Sequence, residues 1–248
     1  VGVSMDGPAF LHDAHRVTRT GLPTHGAVMR GIDWLLRRQI AFQVICVLTA
    51  DALDHADGLF DFFLEHGITD VGFNMEETEG ENAASSLEAP CAEQRYRAFL
   101  ERFWQRCMEQ PGSLRLREFD GIVSLACSNA RMAQTDMNAP FAIVNVDARG
   151  NVSTFDPELL SVPTAEYGDF AFGHVLHDSL EAIAATDKLQ RVLQEIRSGV
   201  ERCRQECEYF GLCGGGAGSN KYWEHRSFDC TETQACRYRI KLVADVVL

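Results

Sequence analysis

The sequence has few basic residues. Its 248 residues include 23 Lys and Arg against 36 Asp and Glu, which gives a formal net charge of −13. Proteins that bind nucleic acid or anionic lipid need clustered Lys and Arg in excess on one surface. We therefore expect neither nucleic acid nor a membrane as a partner.

Long apolar runs are also absent. No stretch approaches the roughly 20 apolar residues of a membrane-spanning helix, and no basic segment followed by an apolar run marks a signal peptide. We therefore expect a cytoplasmic protein. Val1-Gly2-Val3-Ser4 has the pattern of a strand already in progress, without a preceding Met or cap. We also expect that an upstream portion lies outside these residues.

Short apolar runs alternate with amphipathic stretches over the first half of the chain. This alternation predicts βα units and a parallel sheet. The predicted strands are residues 1–5, 42–48, 68–74, 114–119 and 121–125. The predicted helices cover 24–38, a stretch capped by Asp51 and ended by Gly67, and a long helix that carries Tyr96 to Cys107.

The pattern changes past about residue 128. Residues 141–146 and 152–155 flank the turn sequence Asp147-Ala148-Arg149-Gly150 and predict a β-hairpin. A helix that carries Leu180 to Ile196 precedes a cysteine-rich tail. We place a boundary within 125–140, which predicts two domains, 1–130 and 131–248.

Five of the nine cysteines lie between Cys203 and Cys236. In a chain of this size without an export signal, such a cluster favours metal binding over disulfides and over five buried cysteines without a ligand. Gly214-Gly215-Gly216 follows the third cysteine and lets backbone N–H groups approach sulfur. The spacing alone fits either a tetrahedral zinc or an iron–sulfur cluster.

The tail resembles the SPASM domain of radical S-adenosylmethionine (SAM) peptide maturases. The resemblance is carried by Cys203-x3-Cys207-Glu-Tyr-Phe-Gly-Leu-Cys213-Gly-Gly-Gly216, then Asn220-Lys221, Glu224, Glu232-Thr233 and Cys236. It implies an auxiliary [4Fe-4S] cluster bound by Cys203, Cys207, Cys213 and Cys236. Cys230 matches no cysteine of the family and is the spare or substitute ligand.

The hairpin departs from the wider SPASM pattern. Many of those proteins have a cysteine a few residues beyond the hairpin glycine, for a further auxiliary cluster, whereas here Gly150 is followed by Asn-Val-Ser-Thr-Phe-Asp-Pro-Glu-Leu-Leu. This stretch is similar to the subgroup that forms cyclophane crosslinks in ribosomal peptides. The departure argues against a second auxiliary cluster.

A second motif lies near the N-terminus, in Ser4-Met5-Asp6-Gly7-Pro8 with His12-Asp13 and Arg16. Alone, it fits a strand-ending turn. Together with the tail, it resembles the end of the fourth barrel strand in radical SAM enzymes. Ser4 and Asp6 point the same way from a strand and could bind ribose hydroxyls, and Arg16 could pair with the methionine carboxylate.

Taken together, the two resemblances imply an α/β chain: a partial (β/α) radical SAM barrel followed by a small α+β SPASM-type iron–sulfur domain. Barrel enzymes place their chemistry at the carboxyl ends of the strands. The loop after the third strand carries Asn74, Glu76, Glu77 and Glu79, which are candidates to bind peptide or accept a proton, although a solvated acidic loop explains them equally well. Asp156 is a further catalytic candidate, or it fixes the hairpin.

The Cys-x3-Cys-x2-Cys loop of radical SAM enzymes does not occur in the sequence. Cys46, Cys91, Cys107 and Cys127 are too scattered to replace it, and we expect them in the core. SAM and a second [4Fe-4S] cluster are therefore expected only with an upstream part, and the chain alone is expected to be incomplete for catalysis.

The resemblance implies an enzyme that installs a carbon–carbon, cyclophane-type crosslink in a ribosomally made precursor peptide. Its partners would be that peptide and an electron donor such as a flavodoxin or ferredoxin. Two alternatives stay open. One is a radical SAM maturase with another outcome, either sulfatase maturation or thioether formation. The other is a zinc-stabilised module that binds a peptide without chemistry.

Overall fold

The structure is a computed structural model that describes residues 1–80, 82–160 and 162–248. The chain forms two compact units. The first unit comprises Val1–Glu76, Ser85–Ser128 and Lys241–Leu248, and the second comprises Glu77–Ala84 and Asn129–Ile240. Two segments cross the predicted boundary near residue 130. Glu77–Ala84 lies before the boundary but belongs to the second unit, and Lys241–Leu248 lies after it but belongs to the first unit.

Helices and strands alternate in the first half of the chain, and most elements of the second half are short. The strands are β1 Gly2–Ser4, β2 Gln43–Leu48, β3 Asp70–Met75, β4 Arg115–Leu116, β5 Val144–Val146, β6 Asn151–Thr154, β7 Pro163–Thr164, β8 Gly168–Asp169 and β9 Gly173–His174. The helices are α1 Ala9–His15, α2 His25–Arg37, α3 Ala56–Glu65, α4 Ala92–Glu109, α5 Arg117–Ser128, α6 Leu180–Ala184, α7 Asp187–Glu206, α8 Phe210–Cys213, α9 Gly218–His225, α10 Gln234–Cys236 and α11 Leu242–Val247. Short 3-10 helices lie at Ala50–Asp54, Ser86–Glu88 and Pro157–Leu159, and a π-helical segment lies at Arg237–Lys241.

A parallel sheet in the order β1-β2-β3-β4 forms the centre of the first unit. Helical connections between consecutive strands allow this parallel pairing. The strands β1, β2 and β3 end at one edge of the sheet. Asp6 lies two residues after β1, and Thr49 and Glu76 directly follow β2 and β3 at this edge. The predicted α/β class with a parallel sheet is confirmed.

Aromatic side chains fill the space between the sheet and its helices. Phe60 of α3 contacts Phe103 of α4 edge to face, with ring centroids 5.4 Å apart, and Phe73 of β3 contacts Phe103 at 4.9 Å. Burying a side chain of this size contributes about 1.5–3 kcal/mol. The C-terminal helix α11 also packs on α4 and α5, where Asp245 pairs with Arg97 at 2.7 Å.

Two local predictions in the first unit are wrong. Only Arg115–Leu116 is a strand, and residues 117–128 form α5, whose buried side chains are Phe119 and Ile122. Acidic residues in the first turn of α5 stabilise the N-terminus of this helix. The apolar run is too short for its periodicity to distinguish a helix from a strand. Asp51 caps no α-helix, because it lies within a 3-10 helix and α3 begins after His55.

The scattered cysteines occupy different environments. Cys46 of β2 is fully buried, as predicted, and burial raises the pKa of its thiol well above the usual value. Cys107 is half-buried, and burial raises its pKa to about 11. Cys91 and Cys127 are exposed, so their predicted core positions are wrong. They lie just before α4 and near the end of α5, where other residues form the buried face.

The second unit contains the predicted hairpin, and this prediction is confirmed. β5 pairs with β6 in antiparallel register, with Val146 opposite Val152, and β9 pairs with the other side of β6. Asp147 shapes the turn, because its Oδ1 accepts the N–H groups of Arg149 at 2.8 Å and Asn151 at 2.9 Å. Gly150 has a φ of +90°, which glycine adopts without strain.

Helix α7 supplies one side of the second core. Thr186 caps the helix by accepting the N–H of Leu189. Its buried residues recur at the three- and four-residue spacing of one helix face: Leu189, Val192, Leu193, Ile196, Gly199 and Cys203. The first four of them pack in an aromatic cluster in which Phe170 contacts Tyr222 edge to face at 5.2 Å. Within the described ranges, no helix has both the length and the apolarity that crossing a bilayer requires.

Candidate functional site

The buried face of α7 ends at Cys203 and turns this cysteine toward the interior, where it is 7% exposed. Gly199, one turn earlier on the same face, gives the next segment room to approach. A Cβ at Gly199 would lie 2.1 Å from the carbonyl oxygen of Phe228. The helix periodicity thus places the first predicted ligand beside the segment that later carries Cys230.

The glycine run after Cys213 adopts the backbone conformation that the sequence predicts. Gly214, Gly215 and Gly216 all have positive φ, and the N–H of Gly215 donates to the Cys213 sulfur at 3.4 Å. Asn138 fixes the turn, because its amide donates to the carbonyls of Gly214 at 2.9 Å and Gly216 at 3.0 Å. An N–H group aimed at sulfur stabilises a thiolate, the form that ligates metals.

Three of the predicted ligands influence one another electrostatically. Burial raises the pKa of Cys213, and the neighbouring thiols of Cys207 and Cys203 raise it further, while the N–H groups of Gly215 and Gly216 lower it. Burial likewise raises the pKa of Cys230 to about 11, and Cys203 is among the groups that raise it. Cys203 therefore lies within electrostatic range of both Cys213 and Cys230.

Lys221 of α9 is the strongest sign of an anion in this cluster. It is 3% exposed, and its Nζ lies 3.4 Å from the Cys203 sulfur. Among the described residues, no carboxylate forms an ion pair with it. A buried ammonium group is costly unless a negative group lies beside it. The Cys203 sulfur is the group beside this ammonium that can carry such a charge, as a thiolate or as a metal ligand.

The turn that carries Cys236 is tied to the helix that carries Lys221. Glu224 of α9 accepts the N–H groups of Gln234 and, at 3.1 Å, of Ala235. Thr233 accepts the N–H of Cys236 at 3.0 Å and so caps α10. Glu224 and Thr233 were part of the resemblance to the SPASM domain, which assigned them no role. These contacts give both residues a local structural function.

The donor chemistry of the cluster fits a thiolate-bound metal centre. All nine cysteines are free thiols, so none of the candidate ligands is lost to a disulfide. Within residues 1–80, 82–160 and 162–248, however, no three His, Cys, Asp or Glu side chains are placed so that they could hold a metal ion. The ligand set Cys203, Cys207, Cys213 and Cys236, with Cys230 as substitute, remains a prediction.

The N-terminal motif lies at the edge of the parallel sheet. Asp6, 6% exposed, forms a two-bond ion pair with Arg16 and accepts the N–H of Val47 at 2.9 Å. Ser4, by contrast, is exposed. The two residues predicted to hold different parts of SAM therefore bind each other across the loop.

A cavity of about 210 Å³ lies beside this pair in the first unit, and its polar lining includes Asp6, Arg16, Thr49 and Glu76. Small-molecule sites usually enclose about 300–1,000 Å³, so this cavity suits a fragment such as a ribose or an amino-acid group. Ser4 is not among its lining residues. The predicted roles of Ser4, Asp6 and Arg16 stay predictions.

His12 and Asp13 hold the N-terminal motif in place. The N–H of Asp6 donates to Nδ1 of His12 at 3.2 Å, and Nε2 lies 3.1 Å from the Thr24 hydroxyl. Asp13 accepts the N–H groups of Thr24 and His25, each at 2.8 Å, at the start of α2. Burial lowers the pKa of His12, which favours the neutral ring that these contacts require.

The acidic residues after β3 divide between different partners. The carboxylate of Glu76 accepts the N–H and the hydroxyl of Ser86, both at 2.6 Å, in the first unit. In the second unit, Glu77 pairs with Arg239 at 2.9 Å. Two of the three residues predicted to be catalytic thus have strong partners already.

Asp156 and Glu79 form the remaining acidic group, in the second unit. Asp156 is 2% exposed, and its two oxygens accept the N–H of Glu158 at 3.0 Å and the hydroxyl of Ser219 at 2.9 Å. Asn220 donates to Glu79 at 3.4 Å. Burial raises the pKa of Glu79 to about 8, and the nearby carboxylates of Glu77, Asp156 and Glu158 add to the effect.

Sequence reasoning did not assign roles to Lys221, Ser219 or Asn220. Asn220 and Lys221 were visible only as part of the resemblance, and Ser219 gave no signal, because its role depends on a carboxylate 63 positions earlier. Buried polar contacts between distant segments leave no periodic trace in the sequence.

Comparisons with known proteins agree with this architecture. No protein-family model matches the chain. The native structure of anSMEcpe with bound AdoMet and Kp18Cys peptide aligns with 99% of this chain and 66% of its own, at a TM-score of 0.74 and 20% identity. Native anSMEcpe with bound AdoMet aligns with 99% of this chain and 65% of its own, at a TM-score of 0.72 and the same identity. The chain has the radical SAM/SPASM fold.

Sequence relatives extend this result. The chain is 57% identical over 248 residues to the uncharacterized protein sll1766 of Synechocystis sp., and it covers 62% of that protein. It is 23% identical over 225 residues to the cysteine-type anaerobic sulfatase-maturating enzyme of Clostridium perfringens, of which it covers 57%. The chain is thus similar in sequence to an anaerobic sulfatase-maturating enzyme, and it spans about three fifths of the length of these relatives. The predicted fold class is confirmed.

Proposed function

We propose that this chain is part of a radical SAM maturase that installs a carbon–carbon, cyclophane-type crosslink in a ribosomally made precursor peptide. The observation that carries the proposal is the buried ammonium group of Lys221 beside Cys203, within a cysteine cluster on a radical SAM/SPASM fold. This arrangement favours an anionic centre over five inert thiols. The cyclophane assignment rests on the sequence resemblance at the hairpin and the tail.

Cys203, Cys207, Cys213 and Cys236 hold the auxiliary [4Fe-4S] cluster in this proposal, with Cys230 as the substitute ligand. When bound, SAM and its own [4Fe-4S] cluster supply the acceptor of a hydrogen atom, and the auxiliary cluster supplies an acceptor of one electron. The cysteines for the SAM cluster lie outside residues 1–248, and a flavodoxin or ferredoxin provides the electron that starts each turnover. Ser4, Asp6 and Arg16 contribute to SAM binding at the edge of the sheet.

The crosslink requires a proton acceptor as well as a radical. Joining a side-chain β-carbon to an aromatic ring removes two hydrogens from the peptide. One leaves as a hydrogen atom, and the other leaves as a proton and an electron when the ring regains its aromaticity. We assign the proton to the carboxylate of Asp156. Glu76 and Glu77 are further candidates; Ser86 and Arg239 bind their carboxylates, as Glu158 and Ser219 bind that of Asp156.

Sulfatase maturation is a second candidate. It is favoured by the homology to the anaerobic sulfatase-maturating enzyme of Clostridium perfringens and by the likeness to anSMEcpe bound to peptide. The two reactions need the same kind of hydrogen abstraction and proton removal. They differ in the product, which is a bridge between two residues in one case and an aldehyde in the other.

Mass spectrometry of the product separates these outcomes. The protein, expressed anaerobically at the full length that its gene encodes, is produced together with short candidate precursor peptides from the same genome. We expect the peptide to lose two hydrogen atoms and to resist fragmentation between the two bridged residues. An aldehyde, detected by its reaction with a hydrazide, would overturn the crosslink and support the second candidate. An unmodified peptide would contradict both.

A further inference from the structure

The parallel sheet has one buried face and one accessible face. The side chains on the buried face are paired across β2 and β3 as Val44–Val71, Cys46–Phe73 and Leu48–Met75. Ser4, Ile45, Val47 and Asn74 point to the other face, where they are exposed or half-buried. Gly72 shares this face but is buried. A side chain from elsewhere in the first unit therefore covers Gly72.

The guanidinium group of Arg117 is the group that covers Gly72. A Cβ at Gly72 would lie 2.7 Å from Cζ of Arg117 and 2.9 Å from its Nη1, so glycine leaves the space that the guanidinium fills. Arg117 is the first residue of α5 and directly follows β4, which pairs with β3. The strand order thus brings this side chain over the accessible face of the sheet.

Three acceptors hold the guanidinium group in place. Its Nε donates to Glu118 at 2.6 Å, and its Nη2 donates to Oδ1 of Asn74 at 2.8 Å and to the Phe73 carbonyl at 3.3 Å. The other oxygen of Glu118 accepts the N–H of Phe73 at 2.8 Å. No hydrogen-bond partner of Nη1 lies in the part of the chain that the structure describes. The guanidinium group is therefore fixed and keeps a free pair of N–H donors.

These free donors suit a neutral acceptor. The carboxylate of Glu118, whose side chain is 14% exposed, compensates the charge of Arg117, so the pair carries no net charge. Asn74 is bound to Arg117 through its oxygen, and its NH2 group has no partner among the described residues. A set of donors without net charge matches the carbonyl oxygens of a peptide, which have acceptor lone pairs and no charge.

The donors lie beside the cavity at the edge of the sheet. Asn74 is the register partner of Val47, and Val47 lines the cavity together with Asp6 and Arg16. Neighbouring strands lie about 4.8 Å apart. A peptide carbonyl bound at Arg117 would therefore be held next to the cavity.

We propose that Arg117 and Asn74 bind a carbonyl oxygen of the precursor peptide, and that Glu118 and Gly72 position Arg117 for this contact. The inference rests on the proposed function for the identity of the ligand, and it adds the residues that hold the peptide beside the cavity. Arg117 and Asn74 touch the peptide, whereas Glu118 and Gly72 act through Arg117.

Arg117→Lys separates peptide binding from a structural role. A lysine ammonium has three N–H donors, and the three acceptors of Arg117 would occupy them all, so none is left for the peptide. In the full-length enzyme, with a precursor peptide that it modifies, we expect KM for the peptide to rise by about tenfold or more while kcat changes little. The control Arg115→Lys, in an exposed arginine paired with Asp120, should keep the wild-type KM. An unchanged KM in Arg117→Lys overturns the proposal.

Gly72→Ala moves the same guanidinium group without removing it. The added Cβ would displace the end of a flexible side chain, so the fold should tolerate the change. We expect a similar rise in KM, and an unchanged KM here overturns the proposal even if Arg117→Lys does not fold. Gly58→Ala in α3, where nothing lies within 4 Å of the added Cβ, is the matched control.

Binding measurements identify the ligand. The affinity of the full-length protein for a fluorescently labelled precursor peptide, followed by anisotropy, should fall by about tenfold in Arg117→Lys at both about 0.05 M and about 0.5 M salt. A loss that disappears at high salt would indicate a carboxylate ligand, and an equal loss of SAM affinity would indicate a cofactor contact. Either result overturns the proposal.

The same measurements separate this inference from the proposed function. If the wild type binds the peptide but leaves it unmodified, the proposed function fails, and the affinity of Arg117→Lys still decides the contact. If the wild type modifies the peptide and Arg117→Lys binds it equally well, the contact fails and the proposed function stands. A wild type that binds no candidate precursor peptide overturns both.

Discussion

Replacing Lys221 by Met removes the buried positive charge while keeping an unbranched apolar side chain of similar length. Because Lys221 is 3% exposed and its Nζ lies 3.4 Å from the Cys203 sulfur, solvent screens the interaction little. If an iron–sulfur cluster binds at Cys203, the ammonium group stabilises the more negative, reduced state of the cluster. Lys221→Met should therefore lower the reduction potential of the auxiliary cluster.

The size of this shift follows from Coulomb's law. The added electron spreads over the cluster, so its mean distance from Nζ is larger than the nitrogen–sulfur distance, on the order of 6 Å for a ligand-to-cluster geometry. With an effective dielectric constant of about 20, unit charges at that separation interact by about 3 kcal/mol. For a one-electron couple, about 59 mV corresponds to about 1.4 kcal/mol, so the expected decrease is on the order of 100 mV.

The assay is a redox titration followed by electron paramagnetic resonance on the full-length protein with its clusters reconstituted. Lys221→Arg keeps the charge and should stay within about 30 mV of the wild type, well under half of the shift expected for Met. Lys188→Met, which removes a lysine paired with Asp169 on the surface, is the matched control and should leave the potential unchanged.

An unchanged potential in Lys221→Met, together with a higher melting temperature, would refute this reasoning. A buried lysine without a nearby anion costs stability, so its replacement by Met should then stabilise the fold. Only an anionic partner at Cys203 makes the substitution harmful.

Three further predictions concern other parts of the chain. Gly199→Ala should lower the free energy of unfolding by about 1–3 kcal/mol, because the added Cβ would lie 2.1 Å from the Phe228 carbonyl oxygen. The control Gly31→Ala in α2, where nothing lies within 4 Å, should leave this free energy unchanged or raise it by about 0.5–1 kcal/mol. Thermal denaturation compares the two variants, and equal effects would contradict the close approach at Gly199. Asp6→Asn should weaken SAM binding by about tenfold, because it breaks the two-bond ion pair with Arg16. Calorimetry on the full-length protein measures the affinity, and an unchanged value would exclude the cavity beside Asp6 as the SAM site. Asp156→Asn should abolish the modified peptide while SAM cleavage continues, and full product formation would remove Asp156 from the mechanism.

The sequence predicts the elements whose periodicity is long and strong. The strands near residues 42–48 and 68–74, the helix 24–38 and the hairpin around Gly150 all appear in the structure close to their expected bounds. Buried β-branched runs and a turn with Asp147 and Gly150 leave few alternatives. By contrast, residues 117–128 became α5, because a run of so few apolar residues is compatible with either helix or strand until its tertiary contacts are known.

The candidate site was only partly visible in the sequence. Cysteine spacing and the glycine run marked the metal-binding segment, and the first and third cysteines lie buried in the predicted region. The pairing of Asp6 with Arg16 was not foreseen, because both had been given separate ligands. The contacts of Lys221 with Cys203 and of Ser219 with Asp156 join segments 18 and 63 residues apart, and no local pattern encodes them.

Metal analysis of the anaerobically purified full-length protein tests the central claim most directly. We predict a brown protein with bound iron and acid-labile sulfide, from which replacement of Cys203 or Cys213 by Ala removes the iron of one [4Fe-4S] cluster. Replacement of the exposed Cys127 should remove none. A colourless protein that contains one zinc, or an iron content that Cys203→Ala and Cys213→Ala leave unchanged, would contradict the account.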